Sequence, residues 1–175
     1  MRRARQHAAA QHLNVRLHRG SIASLRRWVA PSSLDAVICT EVLYLCRDYR
    51  QLLGLLADSV RPGGLVCISH RPTLYYLASA LRQGRADLAA PVLTRGEGPS
   101  PDGDYHNWQT SEELTQLYQT QSLRLLGCYP VDHSDIPLDV SLMTDPNVQQ
   151  CLASARSTNG TFRIPAYLLV IAEKT

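Results

Sequence analysis

The chain has 175 residues, 45% of them hydrophobic, enough for one domain that buries most of its unfolded chain's apolar surface and too apolar for a disordered or collagen-like polymer. Its longest apolar stretch, residues 167–172, falls far short of the ~18 residues of a membrane-spanning helix, so a soluble protein is expected. Charge is uneven: Arg2, Arg3, Arg5, Arg16, Arg19, Arg26 and Arg27 all precede the first acid, Asp35, and the remainder carries 11 basic against 15 acidic residues.

An Arg-rich, acid-poor start fits a solvated helix face, a phosphate-binding arm or a mitochondrial transit segment. No aromatic residues interleave with these arginines to stack on bases, so nucleic-acid binding is not expected. The cysteines Cys39, Cys46, Cys67, Cys128 and Cys151 are odd in number and form no C-x-x-C pair. That argues against a disulfide scaffold or a zinc site, and no metal is expected. A reducing compartment fits, the cytoplasm first, with the mitochondrial matrix as the alternative the N-terminal arginines allow.

In chain order, residues 2–12 are rich in helix formers. Residues 14–18 alternate apolar and polar as a strand would, and residues 24–29 suit a short helical turn. Residues 34–39 form a continuous apolar run, expected to be a parallel strand covered on both faces. Asp48 is placed to cap a helix carrying Tyr49, Leu52, Leu53, Leu56 and Val60 at helical spacing, stopped by Pro62-Gly63-Gly64. Residues 65–69 are the next buried strand, completing a right-handed βαβ unit. Residues 73–82 read as a helix and 95–104 as a Gly/Pro/Asp-rich loop. Thr110-Ser111-Glu112-Glu113 fits a capping box. Residues 123–129 read as a strand, Asp145-Pro146 opens a helix running to about residue 156, and residues 167–173 close the chain as a last strand.

Leu34-Asp35-Ala36-Val37-Ile38-Cys39-Thr40-Glu41-Val42-Leu43, followed by a helix and Val60-Arg61-Pro62-Gly63-Gly64-Leu65-Val66, resembles the class I S-adenosylmethionine-dependent methyltransferases. The resemblance implies an α/β, Rossmann-like sheet of family order 3-2-1-4-5-7-6, as one domain over residues 1–175. A narrower likeness lies in Ile68-Ser69-His70-Arg71-Pro72-Thr73, Tyr75-Tyr76-Leu77-Ala78 and His106-Asn107-Trp108-Gln109-Thr110-Ser111-Glu112-Glu113-Leu114. These look like the ubiquinone-biosynthesis O-methyltransferases, which methylate a phenolic hydroxyl. His70 stands where that group has an asparagine, which leaves the substrate open.

The family's G-x-G-x-G cofactor loop and the acid that holds the ribose are not in the sequence. The lone Gly96-Glu97-Gly98 follows no strand and opens no helix. The chain therefore reads as a domain lacking its first βαβ unit, incomplete at its N-terminus. S-adenosylmethionine contacts are expected from Gly20, Ser21 and Ile22, where Ser21 replaces the family's acid, and from Thr40, Glu41 and Tyr44. Glu41 would also serve simply as a helix-start carboxylate.

Methyl transfer to a phenol needs alignment and removal of a proton, work suited to a neutral imidazole. His106 is the first candidate base and His70 the second; the competing role for His106 is ordering its own loop. Arg71, Tyr75 and Trp108 are candidates to contact the acceptor, with Tyr76 beside them, although aromatic residues also serve as core. The expected partner is a small-molecule methyl acceptor, with a homodimer or other partner covering the exposed sheet edge. The rival class is a non-catalytic methyltransferase fragment acting by binding. A nicotinamide-dependent oxidoreductase is disfavoured by the motifs around residues 34–66.

Overall fold

The apolar run at residues 34–39 forms β1 (Leu34–Cys39), which pairs in parallel with β2 (Val60–His70) across α2 (Tyr49–Ser59). β2 pairs antiparallel with β6 (Thr161–Lys174), which pairs antiparallel with β5 (Leu123–Pro137). The sheet order β1-β2-β6-β5 is the 4-5-7-6 stretch of the expected family order. The computed structural model describes residues 2–100, 103–138, 145–153, 155 and 161–175.

The Arg-Pro-Gly-Gly turn needs its glycines. Gly63 has φ 75°, and a Cβ on Gly64 would stand 2.7 Å from the Asp35 carbonyl oxygen on β1. The turn bulges within β2, and the register against β1 shifts there, between Leu34 and Ala36. Strand pairing thus begins at Val60, and α2 ends one residue sooner than its apolar spacing suggests. Asp48 holds the capping position of α2 without a side-chain cap bond; its backbone carbonyl receives the Leu52 N–H.

One face of the sheet is covered. Val66, Ile68, Val170 and Ala172 point into a core with Leu52, Leu53 and Leu56 of α2 and Leu114, Leu117 and Tyr118 of α5 (Ser111–Gln119). The predicted capping box starts α5: Thr110 Oγ1 accepts the Glu113 N–H, and the Glu113 carboxylate accepts the Thr110 N–H. The other face departs from expectation. Ile38 is 76% exposed, Leu65 42%, Leu126 46% and Tyr129 51%. The continuous apolar run of β1 is therefore covered on one side only among the described residues.

Residues 14–18, expected as a strand, are not one. Leu13 and Val15 are exposed, and among the described residues no strand pairs with the segment. An alternating pattern without a partner cannot complete a hydrogen-bonded ladder. Before it, α1 (Arg2–Ala10) buries no residue; after it, a 3-10 turn (Ile22–Arg27) packs its Ile22 and Leu25 on the core.

Between β2 and α5 the chain builds a second layer. It holds α3 (Thr73–Arg82), α4 (Ala86–Thr94), and a hairpin of β3 (Glu97–Pro99) and β4 (Tyr105–Asn107) within and after the predicted loop. Together with α6 (Pro146–Ala153) these pack on the distal part of the β5–β6 ribbon, where Tyr76, Val92, Trp108, Leu152, Phe162 and Ile164 form a second apolar cluster. Asp145 Oδ1 accepts the Asn147 N–H at the start of α6, while residue 156, its expected end, lies outside the described residues. Both ribbon strands run well past their predicted limits.

Candidate active site

The seam between the two apolar clusters lies at the C-terminal ends of β1 and β2, where ligands of open α/β sheets bind. Glu41 leaves β1 at φ 61°, a left-handed conformation that costs a non-glycine residue energy and is characteristic of functional sites. Ser69 at the end of β2 holds it there, its Oγ accepting the Glu41 N–H at 2.8 Å. The Glu41 carboxylate accepts from two phenols: Tyr44, in a short 3-10 turn (Leu43–Leu45), at 2.9 Å, and Tyr167 of β6.

Arg71, just past β2, stands in the middle of these rings. Its guanidinium carbon lies 3.9 Å from the Tyr167 ring centroid, 4.1 Å from that of Tyr75 and 5.1 Å from that of Tyr44. It donates to Tyr167 Oη at 2.6 Å and to the Ala166 carbonyl at 3.2 Å. Burial raises the pKa of Tyr44 and of Tyr167, and the hydrogen bond to Glu41 raises both further. Both phenols therefore remain protonated donors at neutral pH.

His106 on β4 completes the cluster. Its Nδ1 is hydrogen-bonded to Tyr76 Oη, and its ring meets the edges of Tyr44 and Tyr76 at 5.7 and 5.3 Å. Burial lifts the pKa of Tyr76 as well. β4 is locked to the Tyr44 turn by the buried Asn107, whose amide donates to the Leu43 and Cys46 carbonyls at 2.9 and 3.1 Å. A parallel bridge between Pro72 and Gln109 draws the segment after β4 against the segment after β2. Glu41, Tyr44, Arg71, Tyr75, Tyr76 and His106 thus converge.

Two candidates do not join them. His70 is fully buried on the opposite side, with Nε2 2.9 Å from Tyr118 Oη on α5. Burial drops its pKa to about 4, so it is neutral, held in the core and away from the mouth. Trp108 is also core: it packs on Tyr76 at 4.9 Å and donates Nε1–H to the Val92 carbonyl. It supports Tyr76 from behind.

The candidate cofactor contacts flank α2, the turn that begins at Ile22 packing on it and Thr40, Glu41 and Tyr44 leading into it. A Cβ on Gly20 would stand 2.1 Å from Trp28 Cη2, so the indole already fills the side of the glycine. Ser21 is extended and exposed. The methionine end of S-adenosylmethionine needs a nest of backbone N–H groups, and the 175 residues contain no G-x-G-x-G loop to form one.

Sequence reasoning missed Tyr167, Ser69 and Asn107. Tyr167 reaches Arg71 because His70 pairs with Leu168 across β2 and β6. That register is a long-range fact with no local signature.

The first 68 residues of the chain match the methyltransferase-domain family. A ubiquinone biosynthesis O-methyltransferase of Cupriavidus pinatubonensis is 27% identical over 128 residues, which are 72% of this chain and 48% of that protein. The chain spans about half the length of that curated relative. Among solved structures, an S-adenosylmethionine-dependent methyltransferase from Mesorhizobium loti superposes with a TM-score of 0.60 at 19% identity, covering 98% of this chain and 74% of that one. The 1,6-didemethyltoxoflavin-N1-methyltransferase of Burkholderia thailandensis, solved with S-adenosylhomocysteine bound, gives 0.53 at 15% identity, with 97% and 56% covered.

Proposed function

We propose that this chain is a class I S-adenosylmethionine-dependent methyltransferase, a reading supported by its fold and by the match of residues 1–68, and that it supplies the acceptor side of a site that methylates a hydroxyl on a small aromatic molecule. The observation that carries this reading is the convergence of His106, Tyr76, Glu41, Tyr44, Arg71 and Tyr75 at the ends of β1 and β2. The phenolic class of the acceptor is supported by the sequence likeness to the ubiquinone-biosynthesis enzyme. The rival reading, a non-catalytic binding module, has no specific observation in its favour. The proposal keeps a second copy or another partner for the exposed sheet edge, which β1 forms.

When bound, the cofactor supplies an electrophilic methyl group on a sulfonium. Gly20, Ser21, Ile22, Thr40 and Glu41 would hold its adenosine end, with Tyr44 beside them. The chain's own work is to place the acceptor hydroxyl and take its proton. Tyr75 and Tyr44 offer ring faces against which an aromatic acceptor lies. His106, held by its Nδ1–Tyr76 Oη hydrogen bond, takes the proton.

The test is methyl transfer from labelled S-adenosylmethionine to a panel of phenols and catechols, in a form of the protein that holds the cofactor. His106→Ala should lower turnover by about 10²–10⁴ at neutral pH. The loss should shrink as pH rises and the phenol ionises unaided. Unchanged turnover at neutral pH would reduce His106 to a residue that orders its loop.

A further inference from the structure

The sheet ends differently at its two edges. At one, β5 carries Pro130, Pro137, the charges of Arg124, Asp132 and Asp135, and a register shift between Leu125 and Gly127. Prolines, bulges and charges are devices that keep a sheet edge from pairing. At the other, β1 reads Leu-Asp-Ala-Val-Ile-Cys, with neither proline nor lysine. Among the described residues its ladder partner is β2 alone, on one side. The outer backbone groups of β1 are an unguarded template for another strand.

The matching half lies in the same chain. Residues 13–18 alternate apolar and polar, with Leu13 54% and Val15 50% exposed, and they join no sheet among the described residues. Just after them the chain is anchored. His18 stacks on Trp28, whose indole sits against Gly20, and Ile22 and Leu25 pack on the core. Ahead of them α1 buries no residue. The segment is thus an arm fixed at its C-terminal end and not laid on its own β1. Charge favours the same match. The arm holds Arg2, Arg3, Arg5, Arg16 and Arg19 and no acid. β1 bears Asp35, which Arg61 bonds from β2 and yet leaves 87% exposed.

We propose that residues 13–18 add as an outer strand to β1 of a second copy of this chain, which returns the same contact and closes a symmetric dimer. Each chain supplies one strand and one edge, so the exchange satisfies both halves without a third partner. The pairing names the partner kept above for that edge, and it rests on strand order and exposure rather than on the methyl acceptor.

Sedimentation velocity of the full 175-residue chain over a dilution series tests this. The chain should run as a dimer at micromolar concentration and dissociate on dilution. Val15→Pro and Arg16→Pro each remove one N–H from the arm, at residues exposed outside the core. Alternate N–H groups of a strand face its ladder, so one of the two prolines must break the pairing. That variant should weaken dimerisation by on the order of tenfold to a hundredfold, a ladder bond being lost in both contacts. Hydrogen exchange reads the same contact without any substitution: amides within residues 13–18 should gain protection as concentration rises. A monomer at every concentration overturns the proposal, as does a dimer that neither proline weakens or exchange at residues 13–18 that does not respond to concentration. Each of these leaves the methyl-transfer reading standing, since the labelled-cofactor assay tests that separately.

Discussion

His70 and Arg71 are adjacent in sequence and opposite in role. The strand pleat sends His70 into the core against Tyr118 and leaves Arg71 among the tyrosines at the strand end. The His70 ring is kept neutral: burial drops its pKa to about 4 from the ordinary 6.5. The nearby Gln109 amide partly offsets this by favouring the protonated ring. In the unfolded chain His70 takes up a proton near its ordinary pKa, whereas the folded chain takes it up only near pH 4. The stabilisation is therefore complete above about pH 6.5 and is lost progressively as pH falls toward about 4. The full shift corresponds to about 3 kcal/mol. Denaturant unfolding measured between those two pH values should show this loss, and His70→Gln should flatten that part of the profile. Identical acid slopes in the two proteins would show that the ring does not carry the effect.

At the scale of elements, the site exists because β4 is tied to the turn after β1. Asn107 does this with one amide, donating to two carbonyls of the turn that bears Tyr44. Asn107→Ala leaves the Cys46 carbonyl without this donor and the Leu43 carbonyl with the Cys46 N–H alone, and should cost about 1–3 kcal/mol, read as a lower denaturation midpoint at unchanged slope. Unaltered stability would mean that water replaces the amide and the tie is dispensable.

The same scale shows what the sequence could reveal. The strands from residues 34 and 65, the Gly-Gly turn and the capped α5 were legible because each is written in neighbouring residues. The places of Glu41 and Arg71 just past strands, and of His106 before a capped helix, were legible for the same reason. The strand at residues 14–18 failed because alternation describes a strand's faces and says nothing about its partner. α4 went unread because Pro91 sits inside it. His70 was misplaced because one residue decides which face of a pleated strand a side chain takes. Tyr167 was invisible because it reaches the site through the pairing of strands about a hundred residues apart in sequence.

The whole molecule is a sheet finished on one side. α2, α5 and the turn at Ile22 cover one face, and the row through Ile38, Leu65 and Leu126 remains open on the other. In the proposed site the chain supplies groups for the acceptor and for the adenine end, and its sequence holds no G-x-G-x-G loop for the methionine end. No helix among the described residues is long and apolar enough to cross a membrane.

If the 175 residues hold only the adenosine end of the cofactor, calorimetric titration of the chain with S-adenosylhomocysteine should give a dissociation constant of about 1 mM or weaker, roughly 4 kcal/mol of binding free energy. A dissociation constant of about 1 μM or tighter, roughly 8 kcal/mol, would contradict it, because these residues would then hold the whole cofactor by contacts other than those described.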